Sequence, residues 1–105
     1  MIQSDDRNPG IEGQFDRDEE MMFRIIARRN KLLGDWAARL MGLSEAEAEA
    51  YGGDLVRADF EGGGEKDVVL KLLGDLTGAG VDIDELRIRE ALKRKLVEAR
   101  RQLIG

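Results

Sequence analysis

Apolar side chains recur at three- and four-residue intervals along most of this chain and nowhere alternate long enough for a strand. Between Asp16 and Met41, Met22, Ile26, Leu33, Trp36, Ala37 and Leu40 fall on one stripe, with Arg24, Arg28, Lys31, Asp35 and Arg39 opposite. This predicts one long helix, stopped by Gly42. Ser44-Glu45-Ala46-Glu47 has the form of a capping box, in which the serine accepts from a free backbone N–H and the glutamate reaches back. A second helix should run from it to about Phe60, with Ala48, Tyr51, Leu55 and Ala58 inward. Gly52-Gly53 weakens that helix by ~1 kcal/mol per glycine relative to alanine.

Gly62-Gly63-Gly64 must break the second helix. A third is predicted from Glu65 to Thr77, with Val69, Leu72, Leu73 and Leu76 on one face, ended by Gly78-Ala79-Gly80. Asp82 with Glu85 offers another capping box, opening a fourth helix that runs to about Leu103 with Ile88, Leu92, Leu96, Ala99 and Leu103 inward. The expected fold is therefore all-α, a four-helix bundle with a long first helix and a disordered N-terminal arm. At 1.5 Å per residue the first helix spans ~39 Å and the fourth ~30 Å, so the first should overhang the bundle at its N-terminal end.

Charge divides the chain differently from hydropathy. Met1–Glu20 holds seven acids and two bases, which equals the −5 of the full 105 residues. It also holds the only proline, in Asn8-Pro9-Gly10, and a further glycine, Gly13. The expected organisation is a mobile acidic arm over 1–15 and a four-helix domain over 16–105. The absence of cysteine and histidine removes disulfides, thiolate and imidazole metal sites, and serine-type triads. Carboxylate-only catalysis lacks its usual groove of stacking aromatics, with one Trp, one Tyr and three Phe available. The chain is expected not to be an enzyme and to hold no metal or cofactor, with weak ATP or ADP binding left open. With no ~20-residue apolar run and no signal pattern, a cytoplasmic location is expected.

Three clusters stand out. Arg29 and Asn30 interrupt the apolar stripe of the first helix. Either Arg29 packs its stem and sends its head outward, or the two form a buried polar clamp that fixes the arm's exit. Burial of the arginine requires a partner in either case. Arg87, Arg94 and Arg101 recur every seven residues, with Lys93, Lys95 and Arg100 nearby. They read as a solvated face laced with Glu90–Arg94 and Glu98–Arg101 pairs, or as a dock for an acidic partner. Nucleic acid is not expected, since no basic footprint emerges. Gly62-Gly63-Gly64-Glu65-Lys66 lacks the spacing of a phosphate loop and reads as a connector.

The segment Ala27-Arg28-Arg29-Asn30-Lys31-Leu32-Leu33-Gly34, followed by Trp36-Ala37-Ala38, resembles the zeta-type inhibitor subunit of alphaproteobacterial F-type ATP synthases. Glu47-Ala48 to Tyr51, Ala58-Asp59-Phe60-Glu61, Asp67-Val68 and Ala79-Gly80-Val81-Asp82 extend the resemblance over nearly the whole chain. It implies a four-helix bundle, monomeric when free, whose N-terminal segment enters the soluble catalytic head of the synthase and blocks ATP hydrolysis. The implied partner-binding positions are Asp5, Asp6, Arg7, Glu12, Phe15, Asp18 and Glu20, to which Ile11 is added because it stands four residues before Phe15, and the expected structural positions are Arg29, Asn30, Trp36, Tyr51 and Phe60. The bound protein would sit peripheral to the inner membrane without inserting into it.

The arm departs from what the resemblance implies. Ser4 and Ile11 stand where aromatics are expected, and Pro9, Gly10 and Gly13 where helix formers are expected. An interior proline costs ~3 kcal/mol and each glycine ~1 kcal/mol, so inhibition is expected to be weak unless Pro9 starts the helix at its first turn, where proline is tolerated. The alternatives are a non-inhibitory structural or assembly partner of the synthase, or a small nucleotide-sensing bundle.

Overall fold

The computed structural model describes the backbone from Pro9 and the side chains from Arg17 onward. Four α-helices follow one another: α1 (Pro9–Met41), α2 (Glu45–Glu61), α3 (Glu65–Gly78) and α4 (Glu85–Leu103). The described residues contain no strand.

Helix α1 begins seven residues before the expected Asp16, at Pro9 itself. Proline is tolerated there because the first helical N–H has no intrahelical acceptor and the ring's φ already suits a helix. Each residue added to a formed helix gains one hydrogen bond, which offsets the weak propensities of Gly10 and Gly13. The expected boundary at 15/16 therefore falls inside α1. Residues 1–8, and with them Ser4, Asp5, Asp6 and Arg7, lie outside the described residues.

Helices α1 and α3 end in matching hydrogen-bond patterns. Leu43 N–H reaches Ala38 O and Gly42 N–H reaches Arg39 O, at 2.9 and 3.2 Å. Val81 to Leu76 and Gly80 to Thr77 repeat this at 2.9 and 3.0 Å. Both are Schellman motifs, which need a left-handed residue just past the helix. Gly42 (φ +75°) and Gly80 (φ +83°) supply it. The capping box at Ser44 forms, with the Glu47 N–H on Ser44 Oγ at 3.1 Å and the Ser44 N–H on Glu47 Oε1 at 2.8 Å. The Ser44 backbone N–H, aided by its hydroxyl, holds the Glu47 carboxyl below its ordinary pKa. The box expected of Asp82 and Glu85 does not form. Asp84 caps α4 instead, accepting from the Arg87 N–H at 2.9 Å, because the helix starts at Glu85.

The core consists of Leu33 and Ala37 from α1, Tyr51 and Leu55 from α2, Val68, Val69, Leu72 and Leu76 from α3, and Ile88, Ala91 and Leu92 from α4. Trp36 packs on its rim with Met41, Leu73, Val81 and Ile83. Ile25, Arg29, Leu33 and Ala37, spaced four apart, make the buried seam of α1. Met22 and Leu40, expected inward, are exposed, and Ile26 is half-buried. They share the apolar side of α1, but Met22 lies before Ile25, the first residue that α1 buries, and Leu40 lies at its C-terminal end. On α4, Leu96 and Leu103 are only half-buried and Ala91 is buried instead.

Helix α4 runs antiparallel to α1. Arg28 Nη1 donates to Gln102 Oε1 at 2.7 Å. Farther along, Trp36 and Leu40 face Arg87, Glu90 and Arg94 across a groove of about 340 Å³.

Candidate partner-binding site

From Pro9 to Met22 α1 projects past its neighbours. The first residue it buries is Ile25. At 1.5 Å per residue the overhang is about 21 Å long. Arg17, Asp18, Glu19 and Glu20 are exposed along it, and Glu20 accepts from Arg24 Nη2 at 2.9 Å. Of the expected partner-binding residues, Ile11, Glu12 and Phe15 lie in its first two turns, and Asp18 and Glu20 in the next. No described side chain of the body covers Asp18 or Glu20.

The root of the overhang is held by a polar node that draws on all four helices. Arg29 and Asn30 are 4% and 0% exposed, so the buried-clamp alternative is the one the fold adopts. Arg29 Nη2 donates to Asp59 Oδ2 of α2 at 2.8 Å, and Asn30 Nδ2 donates to the same oxygen at 2.9 Å. Arg29 Nε and Nη2 also reach Asn30 Oδ1, at 3.2 and 3.1 Å. Glu65 of α3 accepts from Arg29 Nη1 at 3.4 Å and lies 3.8 Å from Arg89 Nη1 of α4. The neighbouring seam residues Ile25 and Leu33 exclude water, which is what makes an unpaired guanidinium costly and this pairing obligatory.

Beside the node, Phe23 of α1 and Phe60 of α2 stack with ring centroids 4.3 Å apart. Both remain substantially exposed. Phe60 is thus a surface brace rather than a core residue. On the other side of α1, Phe23, Arg24, Ala27, Arg28 and Lys31 form a shallow groove with Leu103 of α4. The overhang therefore emerges between an aromatic brace and a cationic groove.

Tyr51 is buried and its hydroxyl donates to Asp75 Oδ2 of α3 at 2.7 Å. Lys71 Nζ lies 3.1 Å from that oxygen and 5.3 Å from the centre of the tyrosine ring. Burial, then the Asp75 carboxylate, pushes the phenol's pKa well above its ordinary value. This cluster fastens α2 to α3 at a distance from the overhang.

Asp59, Glu65, Arg89 and Phe23 carry no sequence signal of their own as site residues. A buried arginine at an inward helical position does signal that a carboxylate partner exists, but not which one. Among the described residues no group of carboxylates is placed to hold a metal ion. None of the described helices is long and apolar enough to cross a membrane.

A model of the ATPase inhibitor subunit zeta family matches residues 1–102. The chain belongs to that family. A solved structure described as "Solution NMR structure of the protein" is similar in sequence and fold. It is 43% identical, with a TM-score of 0.70, over 80% of this chain and 95% of that one. A search of curated proteins finds no match. The family match includes the overhang and the residues before it as well as the bundle.

Proposed function

We propose that this chain binds the soluble catalytic head of an F-type ATP synthase and inhibits ATP hydrolysis through the N-terminal part of α1. The observation that carries this reading is the overhang, a helix held at its root by a buried node, with Arg17 to Glu20 exposed along it. Asp18 and Glu19 stand exposed on it, where a partner can reach them. Its being formed beforehand lowers the ordering cost of binding.

The helix start at Pro9 supports the milder of the two penalties that the sequence allows. At the first helical position proline loses no hydrogen bond, so the penalty reduces to Gly10 and Gly13, ~2 kcal/mol together. That corresponds to about thirty-fold in affinity. A helix continued upstream across Pro9 would lose a hydrogen bond and clash with the preceding turn.

The test is ATP hydrolysis by a synthase stripped of its own zeta-type subunit, with this protein added. The native chain is expected to slow hydrolysis, and a version carrying Pro9→Glu and Gly10→Ala to do so at lower concentration. Binding with hydrolysis unchanged by either version would reject inhibition in favour of a structural subunit.

A further inference from the structure

Helix α4 presents a second surface on the side away from the core. Leu86, Val97 and Ile104 are 66%, 54% and 64% exposed. Their spacing of eleven and seven residues sets them in one line along the middle of the outer face, opposite the buried Ile88, Leu92 and Ala99. Cations flank the line on both sides. Lys93 and Arg100 lie on one side, and Arg87, Arg94 and Arg101 on the other, all exposed, with Arg87 and Arg94 also bordering the groove to Trp36 and Leu40. Glu90 is the one acid on this face.

The inward-leaning cations of α4 are already paired: Arg89 with Glu85 and Glu65, and Lys95 with Glu98. Among the described residues the outward five have no carboxylate within ion-pair distance. Glu98, expected to pair with Arg101, faces Lys95 at 3.2 Å instead. Residues 85–105 hold seven bases and three acids, whereas residues 1–84 hold ten bases and nineteen acids. Residues 85–105 thus carry a net charge of +4 in a protein of net charge −5.

We infer that the outer face of α4 docks an acidic, amphipathic helix of the same assembly, separately from the overhang. Three apolar residues in line suit the apolar stripe of a partner helix. Arginines recurring every seven residues beside them suit carboxylates at matching positions on that helix. Four of the five flanking cations are arginine, whose planar fork pairs carboxylates in two-point fashion. The chain's own acidic overhang cannot serve as the occupant, because α1 and α4 are antiparallel and the overhang runs past the C-terminal end of α4. The inference rests on the proposed binding to the synthase and adds a second contact to it.

The experiment compares binding of the full-length wild type, R94E/R101E and V97N to purified zeta-free synthase at low and at raised salt. Vesicles rich in anionic phospholipid are tested in parallel. None of the three substituted side chains is buried in the core, and circular dichroism confirms that the variants stay folded. The expected result is about tenfold or greater loss of affinity for R94E/R101E at low salt, shrinking as salt screens the pairs. V97N should lose affinity by about threefold at either salt, with no uptake of the wild type on vesicles. Wild-type binding with both variants unchanged would overturn the α4 surface alone. Vesicle uptake abolished by R94E/R101E would replace the helix partner with a membrane. Failure of the wild type to bind the synthase would overturn the proposed function and this inference with it.

Discussion

Gly34 and Gly52 bring the backbones of α1 and α2 into direct contact. A Cβ placed on Gly34 would lie 2.6 Å from Gly52 Cα and 2.8 Å from its nitrogen, with no flexible side chain to yield. Gly34→Ala is therefore expected to destabilise the bundle by about 2–4 kcal/mol despite alanine's better helix propensity, because α2 must shift. Gly53→Ala is the matched control one residue from the contact. Its Cβ would meet only Arg57 Nη1, at 3.8 Å, so it should stabilise by up to ~1 kcal/mol. Urea unfolding of the two variants checks the contrast, and equal signs would contradict the close approach.

The polar node makes a prediction about unequal partners. Asp59→Ala leaves the Arg29 guanidinium buried without its nearest carboxylate and should cost about 3–5 kcal/mol. Glu65→Gln removes a longer, half-exposed contact and should cost under ~1 kcal/mol. A double-mutant cycle of Arg29→Met with Asp59→Leu should recover much of the single-mutant loss, since both charges then leave the interior together. Additive losses would show that the pair is not coupled.

Tyr51 is the only tyrosine, so its ionisation can be read from tyrosinate absorbance alone. The fold raises its pKa, and the protonated phenol is thus the form that the native state prefers. The stability this contributes is complete below the unfolded value of ~10 and declines as pH rises above it. The native protein should show no tyrosinate near pH ~10, and ionisation should appear together with unfolding at higher pH. Tyr51→Phe should lose about 1–2 kcal/mol at neutral pH, through the hydrogen bond to half-exposed Asp75, and should lack the alkaline decline assigned to the phenol. Ordinary titration of the phenol in the folded protein would contradict the buried hydrogen bond.

Within the overhang, Gly13→Ala should tighten inhibition by about fivefold through helix propensity alone, without altering the body. The readout is the concentration giving half-maximal inhibition of hydrolysis. A weaker inhibitor would mean that the glycine is required for close contact with the partner rather than merely tolerated.

Much of the body was legible because helix spacing and stop signals are local. Ser44 with Glu47, Gly42, and the glycine loop at 62–64 each act within a turn or two of themselves. The misreadings have non-local causes. Met22 and Leu40 belong to the apolar side of α1, yet whether they are covered depends on which turns of α1 the other helices pack against. Gly52 reads as a weakness in a helix until α1 is laid across it, when the missing side chain becomes the reason the helices can touch. The site was less legible, because Asp59, Glu65 and Arg89 are ordinary surface-type residues until three helices carry them to Arg29.

The sequence by itself determined four helices, a long first one, an acidic N-terminal segment and the family resemblance, since periodicity, caps and composition are properties of neighbouring residues. Tertiary structure alone decided that Arg29 is paired in the interior, that Gly34 meets Gly52, and that α1 outruns its neighbours from Met22 outward. It also decided that the cations of α4 divide into a paired inner set and an outward set flanking three apolar side chains. Each of these depends on which surfaces packing removes from water, and that is settled only when distant segments meet.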